Sequence, residues 1–387
     1  METSSSDPIS GRNIPGIEAA SRPPERLAAL DLFRGATVAA MIFVNDPGDW
    51  NHVLRPFDHA EWNGFTPTDA VFPFFLFIVG VAGALSLARH LEKGATRWQL
   101  ARQAGRRGAA IVLVGWALAW FPFTLDRLGR LRIPGVLPRI GLVYALGTWL
   151  VLLAWKRRPL VAVFAALLLA LHTFLLLGLG FDLTREGNVQ RAVDLALLKG
   201  HLWKKDWDPE GLVSTLSSIA TMLTGTLAGW WVDSARSLGR RIAGLAAAGA
   251  ASATAGFLLG LALPINKNLW TASYVLFSSG LASLALALAL LLVDVARIRR
   301  GTGFFLTYGK NPLLAFVLSG LLVKTLLLVK TAGADGKKVS LYARLFRGGF
   351  GWITDPYAAS HLFALAVVVF LWAVLGVFEK KGWYWKV

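Results

Sequence analysis

Ala70-Val-Phe-Pro-Phe-Phe-Leu-Phe-Ile-Val-Gly-Val-Ala-Gly-Ala-Leu-Ser-Leu-Ala88 contains no charged residue. Its length matches the ~20 apolar residues a helix needs to cross a bilayer. It is too long for a strand and too uniformly apolar for an ordinary surface helix. Nine more runs share this character: Leu27–Asn45, Gly108–Phe123, Val136–Trp155, Leu160–Gly180, Leu212–Val232, Ile242–Leu263, Leu269–Val293, Phe304–Val329 and His361–Phe378. Only helices and closed barrels can span a bilayer, and these runs have helical length. The expected fold is an all-α, polytopic membrane protein of about ten transmembrane helices.

The composition fits that reading. Of 387 residues, 55% are hydrophobic and only 16% charged, with mean hydropathy +0.54. Soluble domains carry about 25% charge. The net charge is nevertheless +17, from 40 Lys and Arg against 23 Asp and Glu. Such hydrophobicity excludes a disordered chain. It also argues against a soluble nucleic-acid binder, whose basic residues would lie on a polar surface. Membrane lipid is the expected partner, and nucleic acid is not. The absence of cysteine excludes disulfides, thiolate metal sites and cysteine nucleophiles. No metal site is expected. Residues 1–26 are polar and rich in Ser and Pro, and read as a disordered cytoplasmic tail. Residues 27–387 then form a single transmembrane domain.

Ten spans put both termini on one side. That side collects 21 Lys and Arg, and the opposite loops collect 15. The acidic residues lean the other way, eight against 13. The positive-inside rule then places both termini in the cytoplasm. Three long segments face the far side: Asp46–Asp69, Phe181–Gly211 and Lys330–Ser360. They concentrate Trp, Gly, Pro, His and carboxylates.

Chemistry is densest between the first two runs. His59 stands among acidic and aromatic residues there, and histidine can take a proton near neutral pH. Asn45 or Asp69 could fix its tautomer, as the third member of a triad does. A lone loop histidine can equally do no more than hydrogen-bond. Asp31 and Arg34, three residues apart on one helical face, read as a structural pair. Asp69, Arg139, Lys310 and Asn311 also intrude into apolar runs, where ionisable and polar groups suggest function. Asp208 precedes the sixth run, where capping alone would explain it. No phosphate-cradling loop, HExxH or GxSxG motif is present.

Taken in order, the motifs are familiar. They are Leu30-Asp-Leu-Phe-Arg-Gly35, Val44-Asn45, His59-Ala-Glu-Trp-Asn-Gly-Phe-Thr-Pro-Thr-Asp69, Ile133-Pro-Gly-Val-Leu-Pro-Arg-Ile140, Asp208-Pro-Glu-Gly-Leu212, Pro264-Ile-Asn-Lys-Asn-Leu-Trp-Thr271 and Gly309-Lys-Asn-Pro312. The set resembles the heparan-alpha-glucosaminide N-acetyltransferase family of transmembrane acyltransferases. The form is that of a short, bacterial-type member without the lumenal domain, which implies the bacterial inner membrane.

The resemblance implies acetyl-CoA as cytoplasmic co-substrate, a glucosamine-like acceptor on the far side, and a homodimer. The family's catalytic His matches His59 and its partner Asn matches Asn45. His59 would deprotonate the acceptor or carry the acetyl group itself. Asn45 would orient His59 or donate to the oxyanion, and Asp69 would stabilise the imidazolium. Arg139, Lys267 and Lys310, the last followed by Asn311, are candidates for the CoA phosphates. Trp62, Asn63 and Trp203 would contact a sugar ring, and Asp208 and Glu210 its hydroxyls or amine. The alternative is a glycan or lipid-linked-sugar transporter that uses the same intramembrane charges as a pathway.

Overall fold

The computed structural model describes residues 27–298, 300–332 and 337–385. The expected tail, residues 1–26, lies outside the described residues. Helix α1 is Ala28–Asn45, α2 Pro67–Glu92, α3 Arg97–Trp120, α4 Leu125–Leu128 and α5 Val136–Leu153. Then follow α6 Pro159–Leu177, α7 Val189–Leu198, α8 Ser214–Val232, α9 Leu238–Leu259 and α10 Ala272–Leu290, which runs on as a π-turn to Val295. Beyond it lie α11 Thr302–Lys310, α12 Pro312–Leu328, α13 Leu341–Phe350 and α14 Pro356–Lys380. Two three-residue strands, β1 Lys330–Ala332 and β2 Lys338–Ser340, pair antiparallel with Lys330 opposite Ser340. The fold is all-α and polytopic.

Each of the ten apolar runs is helical. Among the described residues, seven helices are long and apolar enough to cross a membrane, and eight elements are if the bent α11–α12 pair counts as one span. Helix α3 carries Arg97, Arg102, Arg106 and Arg107 in its first half, and α8 is rich in Ser and Thr. That polarity keeps both, though long, out of this set. The ninth run also departs from expectation, because it breaks at Asn311 with an 88° bend. Pro312 lacks an N–H, and its ring disfavours helical geometry at the residue before it. Asn311 accordingly leaves the helix, with φ −131° and ψ 53°.

Local signals set the helix starts. Proline occupies the first position of α2, α6, α12 and α14, where its missing N–H has no intrahelical role. Capping boxes, Thr66 with Asp69 and Thr96 with Gln99, open α2 and α3.

Glycine sets how closely the helices cross. A methyl group on Gly80 of α2 would fall on the Met222 carbonyl of α8, and one on Gly225 of α8 on the Phe77 carbonyl of α2. Gly35 and Gly309 relate α1 and α11 in the same way. So do Gly108 and Gly141 between α3 and α5, and Gly249 and Gly280 between α9 and α10. Lipid offers no hydrophobic drive between helices, so close backbone approach and van der Waals packing must supply the association.

Asp46 follows the last residue of α1 and is buried. Its Oδ2 has no hydrogen-bond partner among the described residues. A carboxylate there opposes the helix dipole, and burial pushes its pKa up to about 8.

Two predictions follow from the packing and from this acid. Gly80→Leu should force α2 and α8 apart and destabilise the protein by about 1–3 kcal/mol or more, read as a lower melting temperature in detergent. An unchanged melting temperature would refute the contact. The folded pKa of Asp46 is raised above its unfolded value, so its contribution to stability falls as pH rises toward about 8. Asp46→Asn should therefore flatten the loss of melting temperature between pH 5 and 8.

Candidate functional site

Asp69 is the third residue of α2, and its carboxylate has two roles. Oδ2 accepts from the Thr66 N–H at 3.0 Å, closing the capping box, and from the Ala60 N–H at 3.1 Å. Oδ1 lies 2.7 Å from His59 Nδ1. If Nδ1 carries the proton donated to Asp69, Nε2 holds the free lone pair. The His59 side chain is 48% exposed and that of Asp69 1%, so the imidazole is reachable while the carboxylate that orients it is sealed. Tyr274 of α10 donates to the Asp69 carbonyl at 2.7 Å and ties the start of α2 to a second helix.

Lys267 completes this group from a distant loop. Its Nζ lies 3.0 and 3.1 Å from the two ring nitrogens of His59 and 3.7 Å from Asp69 Oδ1. Burial holds its ammonium below the ordinary lysine value, against the opposing pull of Asp69. The two loops are pinned together. Asn266 Nδ2 donates to Asn63 Oδ1 at 2.9 Å, and the Gly64 N–H to the Ile265 carbonyl at 2.8 Å. Gly64 has φ +120°, a backbone conformation that suits glycine.

His59, Asp69 and Lys267 line one end of a cavity of ≈ 990 Å³. Asn45, Trp62, Trp203, Arg132 and Glu210 line that loop end as well. Arg34, Arg107, Lys310, Tyr384 and Trp385 line the other, basic end. On α2 the lining runs from Thr68 to Ser86. At 1.5 Å per residue that is about 27 Å, close to the ~30 Å thickness of a bilayer's hydrocarbon core.

The structure separates the site residues expected from the sequence. His59, Asp69, Asn45, Trp62, Trp203 and Glu210 gather at the loop end. Lys267, considered above for the CoA phosphates, joins them there. Lys310 is at the basic end, ion-paired with Glu379. Arg139 is buried and is not among the lining residues. It donates to the Gly211 carbonyl at 2.9 Å and lies over the Trp270 ring at 5.2 Å. Asn63 is occupied with Asn266. Asp208 is fully buried, accepting from Arg132 at 2.7 and 2.8 Å and from the Trp203 and Glu210 N–H groups. Glu210 also pairs with Arg132. Asp31 and Arg34 form the expected pair at 3.1 Å, and Arg34 also donates to the Gly309 carbonyl. Asn311 binds the backbone beyond α14. Lys324 donates to the Leu118 carbonyl.

Sequence reasoning missed Arg132, Arg107, Tyr384 and Trp385. Arg132 was visible only as one of several loop cations. Its carboxylate partners stand 76 and 78 residues away, so no local pattern marks it.

Comparisons with known proteins bear on the family. The family model for "Heparan-alpha-glucosaminide N-acetyltransferase, catalytic" matches residues 26–240, which include His59, Asp69 and Arg132. The human protein named heparan-alpha-glucosaminide N-acetyltransferase is 30% identical over 380 residues, covering 81% of this chain and 56% of its own. The mouse protein of that name matches with the same identity and coverage. The chain thus spans a little over half the length of these relatives. A family model that covers more than half of the chain, and relatives that align with four-fifths of it, lead to one conclusion: the chain belongs to the heparan-alpha-glucosaminide N-acetyltransferase family.

Proposed function

We propose that the protein is a membrane-embedded acetyltransferase. It takes an acetyl group from acetyl-CoA at the basic end of the cavity and gives it to an amine or hydroxyl of a glucosamine-like sugar at the loop end. The observation that carries this reading is the single cavity reaching from Lys310 and Arg107 to His59 and Asp69 over nearly a bilayer thickness. The excess of Lys and Arg on loops at the basic end orients that end toward the cytoplasm. The His59 loop then lies on the far side.

His59 Nε2 takes the proton as the acceptor attacks the thioester carbonyl. Asp69 holds Nδ1–H and stabilises the imidazolium that forms, as the aspartate of a triad does. The C–S bond breaks, and His59 returns the proton to the leaving sulfur. Lys267 stands where negative charge develops on the carbonyl oxygen, and a fixed donor aimed there is worth several kcal/mol of barrier. Asn45, at the cavity wall, is a second donor for that oxygen. Trp62 and Trp203 offer faces to the sugar ring. Trp62 is held in place by donating to the Leu183 carbonyl at 2.8 Å. Glu210, neutralised by Arg132, is available to a sugar hydroxyl.

His59→Ala should lower transfer from labelled acetyl-CoA to glucosamine by about 10²–10⁴-fold. A variant with wild-type activity would sink the assignment, and sugar movement across vesicles without acetyl transfer would indicate a transporter. Label retained on His59 in the absence of acceptor would show that this residue carries the acetyl group.

Lys267 supplies a pH test. Its lowered pKa means the charge is lost as pH rises through a value below that of a free lysine. The alkaline fall in kcat/KM should therefore begin below the range of an exposed lysine. Lys267→Arg should move that limb upward, because a guanidinium stays protonated. Lys267→Met should lower kcat by about 10²–10³-fold. An alkaline limb unchanged in Lys267→Arg would remove Lys267 from the chemistry.

A further inference from the structure

The basic end of the cavity has a second feature that the acetyl-transfer chemistry does not use. After α14 the chain turns at Gly382, with φ +68°, and returns across the cavity mouth as Trp383-Tyr384-Trp385. Asn311, 1% exposed at the bend between α11 and α12, clamps this strap. Its Nδ2 donates to the Trp383 carbonyl at 3.2 Å, and its Oδ1 accepts from the Trp385 N–H at 3.1 Å. The clamp fixes the backbone on both sides of Tyr384.

The rings of the strap differ in their surroundings. Trp383 packs edge-on against Phe378 and lies under Lys381. Tyr384 and Trp385 line the cavity, are 38% and 41% exposed, and make no ring contact among the described residues. Both rings are thus carried by the strap with no aromatic or cationic partner among the described residues.

Cations from three helices line the same end of the cavity. Arg34 and Lys310 each have a carboxylate neighbour, Asp31 and Glu379. Arg107 lies over the Tyr144 ring at 5.2 Å, and no carboxylate pairs with it among the described residues. Part-exposed aromatic rings at a cation-lined end of a cavity suit a base that stacks and phosphates that need charge.

We propose that Tyr384 and Trp385 form the platform on which the adenine of the acyl donor stacks, with Arg34, Arg107 and Lys310 facing its phosphates. The inference rests on the reading above that the donor is a CoA thioester. Asn311 is a positioning residue that holds the platform.

The full chain in detergent, titrated calorimetrically with adenosine 3′,5′-bisphosphate, tests the platform without any turnover. Trp385→Ala and Tyr384→Ala should each raise the Kd about tenfold, since stacking of one base on an aromatic side chain is worth that much. Trp385→Phe should largely restore it. In turnover, the preference for acetyl-CoA over acetyl-pantetheine, which has no nucleotide, should fall about tenfold in Trp385→Ala. Unchanged affinity, or equal loss on both donors, would overturn the platform. Nucleotide binding that weakens in these variants, in a wild-type chain that transfers no acetyl from either donor, would support the platform and sink the acetyltransferase reading.

Discussion

The bundle rests on glycine at its helix crossings. Gly80 with Gly225, Gly35 with Gly309, Gly108 with Gly141 and Gly249 with Gly280 each let one backbone approach another where a methyl group would not fit. In lipid that closeness replaces the hydrophobic drive that packs helices in water. The crossings also place the cavity walls. The contact between α1 and α11 sets Arg34 beside Lys310, and the contact between α3 and α5 brings Arg107 against Tyr144. The cavity's basic end is therefore a consequence of where side chains are absent.

The loop end depends on one carboxylate. Asp69 closes a helix cap with Oδ2 and holds His59 with Oδ1. Helix formation and orientation of the base are thus one event, and α2 carries the result into the cavity wall. The His59 loop, which otherwise has little regular structure, is braced on the loop around Asn266 and Lys267. A histidine on a mobile loop would lose the positional precision that the proposed chemistry needs. Here the loop borrows rigidity from two helix starts, those of α2 and α10.

Much of this was legible in the chain. The apolar runs foretold helices because bilayer thickness sets a minimum length that few other structures require, although seven or eight elements, against the ten expected, are long and apolar enough to cross among the described residues. His59 and Asp69 stand ten residues apart, in one connection between two runs, so their pairing was readable. Asp31 and Arg34 were readable for the same reason, since helical spacing alone joins them. The cations were not. Arg139, Lys267 and Lys310 looked alike as charges within or between apolar runs, yet one is buried under Trp270, one touches His59 and one marks the opposite end of the cavity. Their partners come from distant segments, and a linear pattern carries no information about which helices cross. The bend at Asn311 was hidden for another reason: apolar content continued through Pro312 and masked the break.

The sequence by itself determined the class of the protein, the helical character of its apolar runs and the local histidine–carboxylate pairing. These follow from composition, segment length and short spacing, which are properties of the chain read in order. Only the tertiary structure decided that His59 and the cluster around Lys310 open onto one cavity, that Lys267 belongs with the base, and that the segment after α14 returns to the basic mouth. Each of these joins residues far apart in sequence. Such pairings are settled by which backbones can approach, and that is decided when the glycine-lined faces meet.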